Sequence, residues 1–239
     1  MPISGNENIS SFRNIKYESN KRRTAVGATI GSAMGIAASV AGVYALSRKG
    51  NPALALKNLS YSEKDALLIG AGSIIGGLAG GIIADKDSSN NRYKVREALQ
   101  QFVGNTLFPI GFLMAGNQIL SKTGFKLPKI AANKKFARVL NPVISALPKT
   151  VVTLASLTVG MNIGNKVVNK FNNKVFKEDV KHDVRPEDFL VHADDICLTT
   201  NMLLKDVPKV SSVTAKALPL TFLVSGAKTG SAHQSEYPC

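Results

Sequence analysis

Tryptophan is absent from this 239-residue chain, and only 6% of its residues are aromatic. Stacking platforms for nucleic-acid bases therefore have little to draw on. Interfacial aromatic belts are thin for the same reason. Cysteine occurs only at Cys197 and Cys239. Two cysteines build no disulfide framework, and no CxxC spacing exists. Cys239 is the last residue, whereas a prenylation box opens four from the end. There is no G-x-S-x-G element and no HExxH, the signatures of hydrolase and zinc-protease sites. With only His182, His192 and His233 available, Ser–His–Asp chemistry has few possible bases.

A further absence is regional. Long stretches carry no charge, although the chain as a whole has a formal net charge of +14. The basic residues flank the apolar runs, so they favour anionic lipid headgroups and membrane topology over nucleic acid. A helix needs roughly 20 apolar residues to cross a ~30 Å hydrocarbon core. Four runs qualify: residues 24–46, 66–84, 98–120 and 150–168. The first follows a polar N-terminal segment, residues 1–23, which ends in Lys21, Arg22 and Arg23. It is too long for a cleaved signal's apolar region and reads as a retained span.

What these runs have in abundance is glycine. Gly27, Gly31 and Gly35 recur every fourth residue in the first run, and Gly72, Gly76 and Gly80 do so in the second. Ser156, Gly160 and Gly164 repeat the spacing in the fourth. Residues four apart share one helix face. Each interior glycine costs roughly 1 kcal/mol relative to alanine in a soluble helix. In lipid, small faces are favoured because they let backbones approach closely. The expected fold is an all-α integral membrane bundle with about four spans and glycine-zipper packing faces. Spans one and two, joined by the short Ser47–Asp65 connection, are expected to be antiparallel neighbours. The competing reading is a soluble protein with Gly/Ala-rich core helices.

Beyond the bundle, residues 169–188 form a charged linker. Residues 186–227 then read as a small amphipathic helical tail, with proline and acids at its start. Phe189, Ala193, Ile196, Thr200 and Leu203 share one face of it. The 217–226 stretch is apolar but short, and Pro219 interrupts it. Residues 228–239 are expected to be a disordered end. Residues 136–149 read as a basic, partly amphipathic loop element, because Pro142 and Pro148 disfavour helix in the residues before them.

Two sets of polar residues are candidates for chemistry. Gln101, Asn105, Asn117 and Gln118 lie in the third span, where lipid exposure would be costly. They read either as interhelical hydrogen bonds or as the lining of a path. His192, Asp194 and Asp195 are weak metal candidates, because helical geometry puts Asp194 off the face shared by the other two. The glycines of 70–76 approach a dinucleotide fingerprint but miss its final spacing and lack a preceding strand.

The expectation is therefore a non-enzymatic multi-pass membrane protein with no cofactor. Its glycine faces would act in helix packing, in homo-oligomerisation or in joining a membrane complex. The alternative is a pore or transporter. Anionic lipid is the expected partner and nucleic acid is not. The N-terminus is placed in the cytoplasm, because that choice puts Lys21, Arg22, Arg23, Lys86, Arg92, Lys94, Arg96 and the 169–185 cluster inside.

Overall fold

The computed structural model describes residues 5–47, 61–125, 127–128, 134–177 and 208–233. Helix is the only regular secondary structure among them. α1 covers Gly5–Ser47 and α2 covers Glu63–Ala84. A short 3₁₀ turn, Ser88–Asn90, leads into α3, Asn91–Leu99. A π-helical segment, Gln100–Leu107, carries α3 into α4, Phe108–Thr123. α5 covers Lys134–Phe176 and α6 covers Pro208–Ser231.

The local chemistry explains several boundaries. Ser62 accepts from the Asp65 amide, and Asp65 accepts from the Ser62 amide, closing a capping box at the start of α2. Asp85 ends α2 in an extended conformation. The π segment sits directly before Pro109, which brings no amide to the helix ladder. There the Phe108 amide donates to the Val103 carbonyl, and Thr106 Oγ1 donates to the Gln101 carbonyl at 2.8 Å. The amide bond reaches back five residues, the wide register of a π-helix, and the Thr106 hydroxyl caps a carbonyl within the same segment. Gly124 closes α4 at a φ of 61°, which glycine adopts without strain.

α1 and α2 run antiparallel along their glycine rows. A Cβ added to Gly31 would strike the Gly76 carbonyl oxygen, and one added to Gly35 would strike that of Gly72. Gly27 faces Gly80 and Ala84 in the same way. α2 carries a second small-residue row, Ser73, Gly77 and Gly81, which meets Phe222, Gly226 and Gly230 of α6. α6 therefore runs parallel to α2 and fills the groove between α1 and α2. At the junction of the three helices, the Ser32 and Ser73 hydroxyls lie 2.8 Å apart, and Ser73 donates to the Phe222 carbonyl at 2.6 Å. α5 runs antiparallel to the π segment and α4. Its Ser156, Gly160 and Gly164 meet Gly116, Pro109 and Gly104.

These directions bring the start of the α1 span, the ends of α2, α5 and α6, and the start of α3 to one end of the bundle. Lys177 lies at that end, and Pro208 begins α6 at the other. The apolar core sits toward the far end, where Ala66, Ile69, Ile110, Leu113, Leu218 and Phe222 cluster.

Among the described residues, three helical stretches are long and apolar enough to cross a membrane: Tyr17–Ala45, Glu63–Ala84 and Leu147–Phe176. Much of their apolar surface faces outward, including Val26, Ile30 and Met34 of α1, Ile75 and Ile83 of α2, and Val151 and Leu154 of α5. A soluble protein of this size rarely leaves so much large apolar surface uncovered. These features point to a membrane.

The expected third span, residues 98–120, is not among the three. Its first half is the polar π segment, and the α-helical remainder, Phe108–Thr123, has only 16 residues. Three expectations need correction. Residues 136–149 are helical, since α5 runs through both Pro142 and Pro148. The bias before a proline is a preference, and membrane-type helices tolerate proline where neighbours re-satisfy the freed groups. α5 also continues to Phe176, well into the expected charged linker. Residues 228–231 belong to α6, where Thr229 is buried and Gly230 packs against Gly77 of α2 and Ala28 of α1. Tight packing of small residues orders a segment that composition alone leaves soluble and loose. His192, Asp194, Asp195, Cys197 and residues 186–207 of the expected amphipathic tail lie outside the described residues; residues 208–227 are helical, and the helix runs through Pro219 without interruption.

Candidate functional site

The best-developed polar site lies where the helix ends converge. Asp85, the residue that ends α2, is its centre. Asn20 Nδ2 of α1 donates to Asp85 Oδ1 at 2.7 Å, and Asn90 Nδ2 donates to Oδ2 at 3.1 Å. The Asp87 amide donates to Oδ1 at 2.9 Å. Lys94 Nζ of α3 forms an ion pair with Oδ2, and neither side chain reaches solvent. Lys94 also donates to the Ala232 carbonyl, just past α6, at 3.3 Å. His233 Nδ1 is 3.9 Å from Asp85 Oδ2, and the Tyr17 ring meets the imidazole edge-on with centroids 6.2 Å apart. Five elements thus meet at one carboxylate.

Burial by itself would raise the Asp85 pKa. The Lys94 hydrogen bond, the Asp87 amide, Asn20 and the Lys94 charge outweigh that penalty and lower it to about 2. The carboxylate is therefore ionised at neutral pH, where it accepts from the Lys94 amine. The arrangement ties α1, α2, α3 and the end of α6 together through one carboxylate.

A polar string leads from this site into the bundle. Lys94, Glu97 and Gln101 share the inner face of α3 and the π segment, and all are buried. Gln101 Nε2 donates to Glu97 Oε1 at 2.7 Å, and Asn105 Nδ2 donates to Gln101 Oε1 at 3.2 Å. Lys228 of α6 approaches Glu97 at 3.8 Å. Alongside, Gln100 Nε2 donates to Asn165 Oδ1 of α5 at 2.6 Å. Beyond Thr106 the interior turns apolar at Ile110, Leu113 and Phe222. The string therefore reaches part of the way through and stops.

Of the four polar residues expected to line a path, the structure joins only two. Gln101 and Asn105 belong to the string. Asn117 lies near the other end, donating to Glu63 Oε1 at 3.3 Å, and Gln118 is exposed. The nine small residues expected to form packing faces all sit at helix crossings within the chain. Among the described residues, no group of three or more His, Cys, Asp or Glu side chains is placed to hold a metal.

Asp85, Lys94, Asn20, Asn90 and His233 were missed by sequence reasoning. Only the i, i+3, i+7 spacing of Lys94, Glu97 and Gln101 offered a local signal. The second packing row was more legible. Ser73, Gly77 and Gly81, and separately Gly226 and Gly230, show the same four-residue spacing as the rows that were recognised.

No protein-family model, curated protein or solved structure matches this chain. Its class therefore rests on its own architecture: among the described residues it is helical, with three helices long and apolar enough to span a membrane.

Proposed function

We propose that this chain is a non-enzymatic multi-pass membrane protein, a packing and assembly component whose glycine-zipper faces hold its own helices in a rigid bundle. The observation that carries the reading is the direct backbone contact along Gly27–Gly80, Gly31–Gly76 and Gly35–Gly72. Interhelical packing of this kind is what drives association in lipid, where burial of apolar surface from water no longer operates. Residues 98–120 are taken as the fourth span, with Gln101 and Asn105 satisfied inside the bundle. The glycine faces are covered within the chain, which favours internal packing over homo-oligomerisation through the same faces. The basic end carries Lys21, Arg22, Arg23, Lys86, Arg92, Lys170 and Lys174, and we assign it to the cytoplasm with the N-terminus. Anionic headgroups are its natural counter-charge.

The test is to replace Gly31 and Gly76 with leucine, singly. Each variant should lose the sharp elution of the detergent-purified wild type. Unchanged elution and melting would count against the reading.

A second reading, a pore or transporter, is favoured by the buried string of Glu97, Gln101 and Asn105 beside a π segment, a feature that recurs at functional sites. It requires the apolar plug of Ile110, Leu113 and Phe222 to part. Flux through reconstituted vesicles that falls with Gln101→Leu while folding is retained would support it.

A further inference from the structure

The outer surface between α2 and α3 carries a groove of about 230 Å³. Ala71, Ile74, Ile75 and Leu78 form one wall; Val95, Ala98, Leu99 and Phe102 form the other. No polar atom lines it. It runs along the bundle away from the basic end. Arg92 lies three residues before Val95 and seven before Leu99, on the same face of α3. The exposed Lys86 sits in the turn that joins α2 to α3. An apolar trough with basic side chains at its membrane-surface end matches one chemistry: a hydrocarbon tail below an anionic head.

We infer that this groove binds one acyl chain of an anionic phospholipid, with the headgroup held by Arg92 and Lys86. The inference rests on the membrane reading above. The groove gains little by taking a lipid tail out of surrounding lipid, since both are apolar. Selectivity therefore comes from the head. One basic side chain near an anionic surface contributes about 1 kcal/mol, or about a fivefold preference.

The experiment begins with membranes washed in alkaline carbonate, which reports residence separately from lipid selectivity. The retained full-length protein is then reconstituted in nanodiscs of phosphatidylglycerol and phosphatidylcholine at one to three. It is released into mild detergent, and the co-purifying lipids are counted by mass spectrometry. The expected result is about one phosphatidylglycerol per chain, enriched severalfold over its share. Arg92→Gln, on an exposed side chain, should lower the bound ratio of phosphatidylglycerol to phosphatidylcholine, relative to their supply, about fivefold. Ala98→Phe fills the trough and should remove the bound lipid without changing elution. If Ala98→Phe fails to fold, Arg92→Gln alone still decides the headgroup claim. Enrichment unchanged in Arg92→Gln would overturn the inference, as would lipid retained without preference for charge. Protein that resists the wash yet carries no lipid would overturn it while leaving membrane residence intact. Protein released by the wash would overturn both.

Discussion

Gly31→Ala should destabilise the bundle, whereas Gly42→Ala, later in the same helix, should stabilise it. Alanine is the better helix former by roughly 0.5–1 kcal/mol. At Gly42 no atom of the described residues lies within 4 Å of the added methyl, so that gain stands alone. At Gly31 the methyl falls on the carbonyl oxygen of Gly76, with the Cα of Gly80 beside it. These are backbone atoms, so no side-chain rotation relieves the clash. α1 and α2 must move apart, which loosens the neighbouring Gly27–Gly80 and Gly35–Gly72 contacts. Overpacking of this kind costs ~1–3 kcal/mol, which exceeds the helix gain. The net loss is about 1–2 kcal/mol by the same measure. For a chain of this length, 1 kcal/mol corresponds to roughly 2–4 °C in Tm. Thermal unfolding of the purified protein, followed by circular dichroism, should therefore show shifts of opposite sign. Shifts of the same sign would refute the claim that the glycine row is a backbone contact.

Further outcomes follow from the charged end and from helix direction. Asp85→Leu leaves Lys94 buried without its counter-charge and should cost about 3–5 kcal/mol, while Asp85→Leu with Lys94→Met should recover most of that loss in chemical unfolding. Acid should act through the same carboxylate. Its pKa is lowered from 3.8 to about 2, so its stabilisation is present above pH ~4 and is lost as pH falls toward 2. Melting temperature scanned over that window should fall more steeply in wild type than in the Asp85→Leu, Lys94→Met double variant. Single cysteines replacing Lys177 and Ser231, in a chain with Cys197 and Cys239 changed to serine, should react with impermeant reagent from the same side of sealed vesicles. Labelling from opposite sides would reject the parallel placement of α6 beside α2.

How much of this was legible in the sequence differs from helix to helix. The α1 and α2 rows were visible because uncharged length and four-residue spacing are local properties. The π segment was not, because Gln100, Gln101 and Asn105 look like ordinary interruptions until Pro109 and the Thr106 hydroxyl set a wider register. α6 was undervalued for a related reason. Glycine, alanine, serine and threonine contribute little to hydropathy, and Pro219 read as a stop, yet Gly226 and Gly230 let the helix pack against α2. The Asp85 site was invisible because its partners, Asn20, Lys94 and His233, come from three other parts of the chain. No window of sequence holds them together; only antiparallel α1 and parallel α6 do.

The central claim is that these helices live in a bilayer. Alkaline carbonate washing of membranes from cells expressing the full chain tests it most directly. The account predicts that the protein stays in the pellet and leaves only with detergent. Release into the wash supernatant would contradict it, and would make the outward-facing Ile30, Met34, Ile75 and Val151 a surface that water or another protein covers instead.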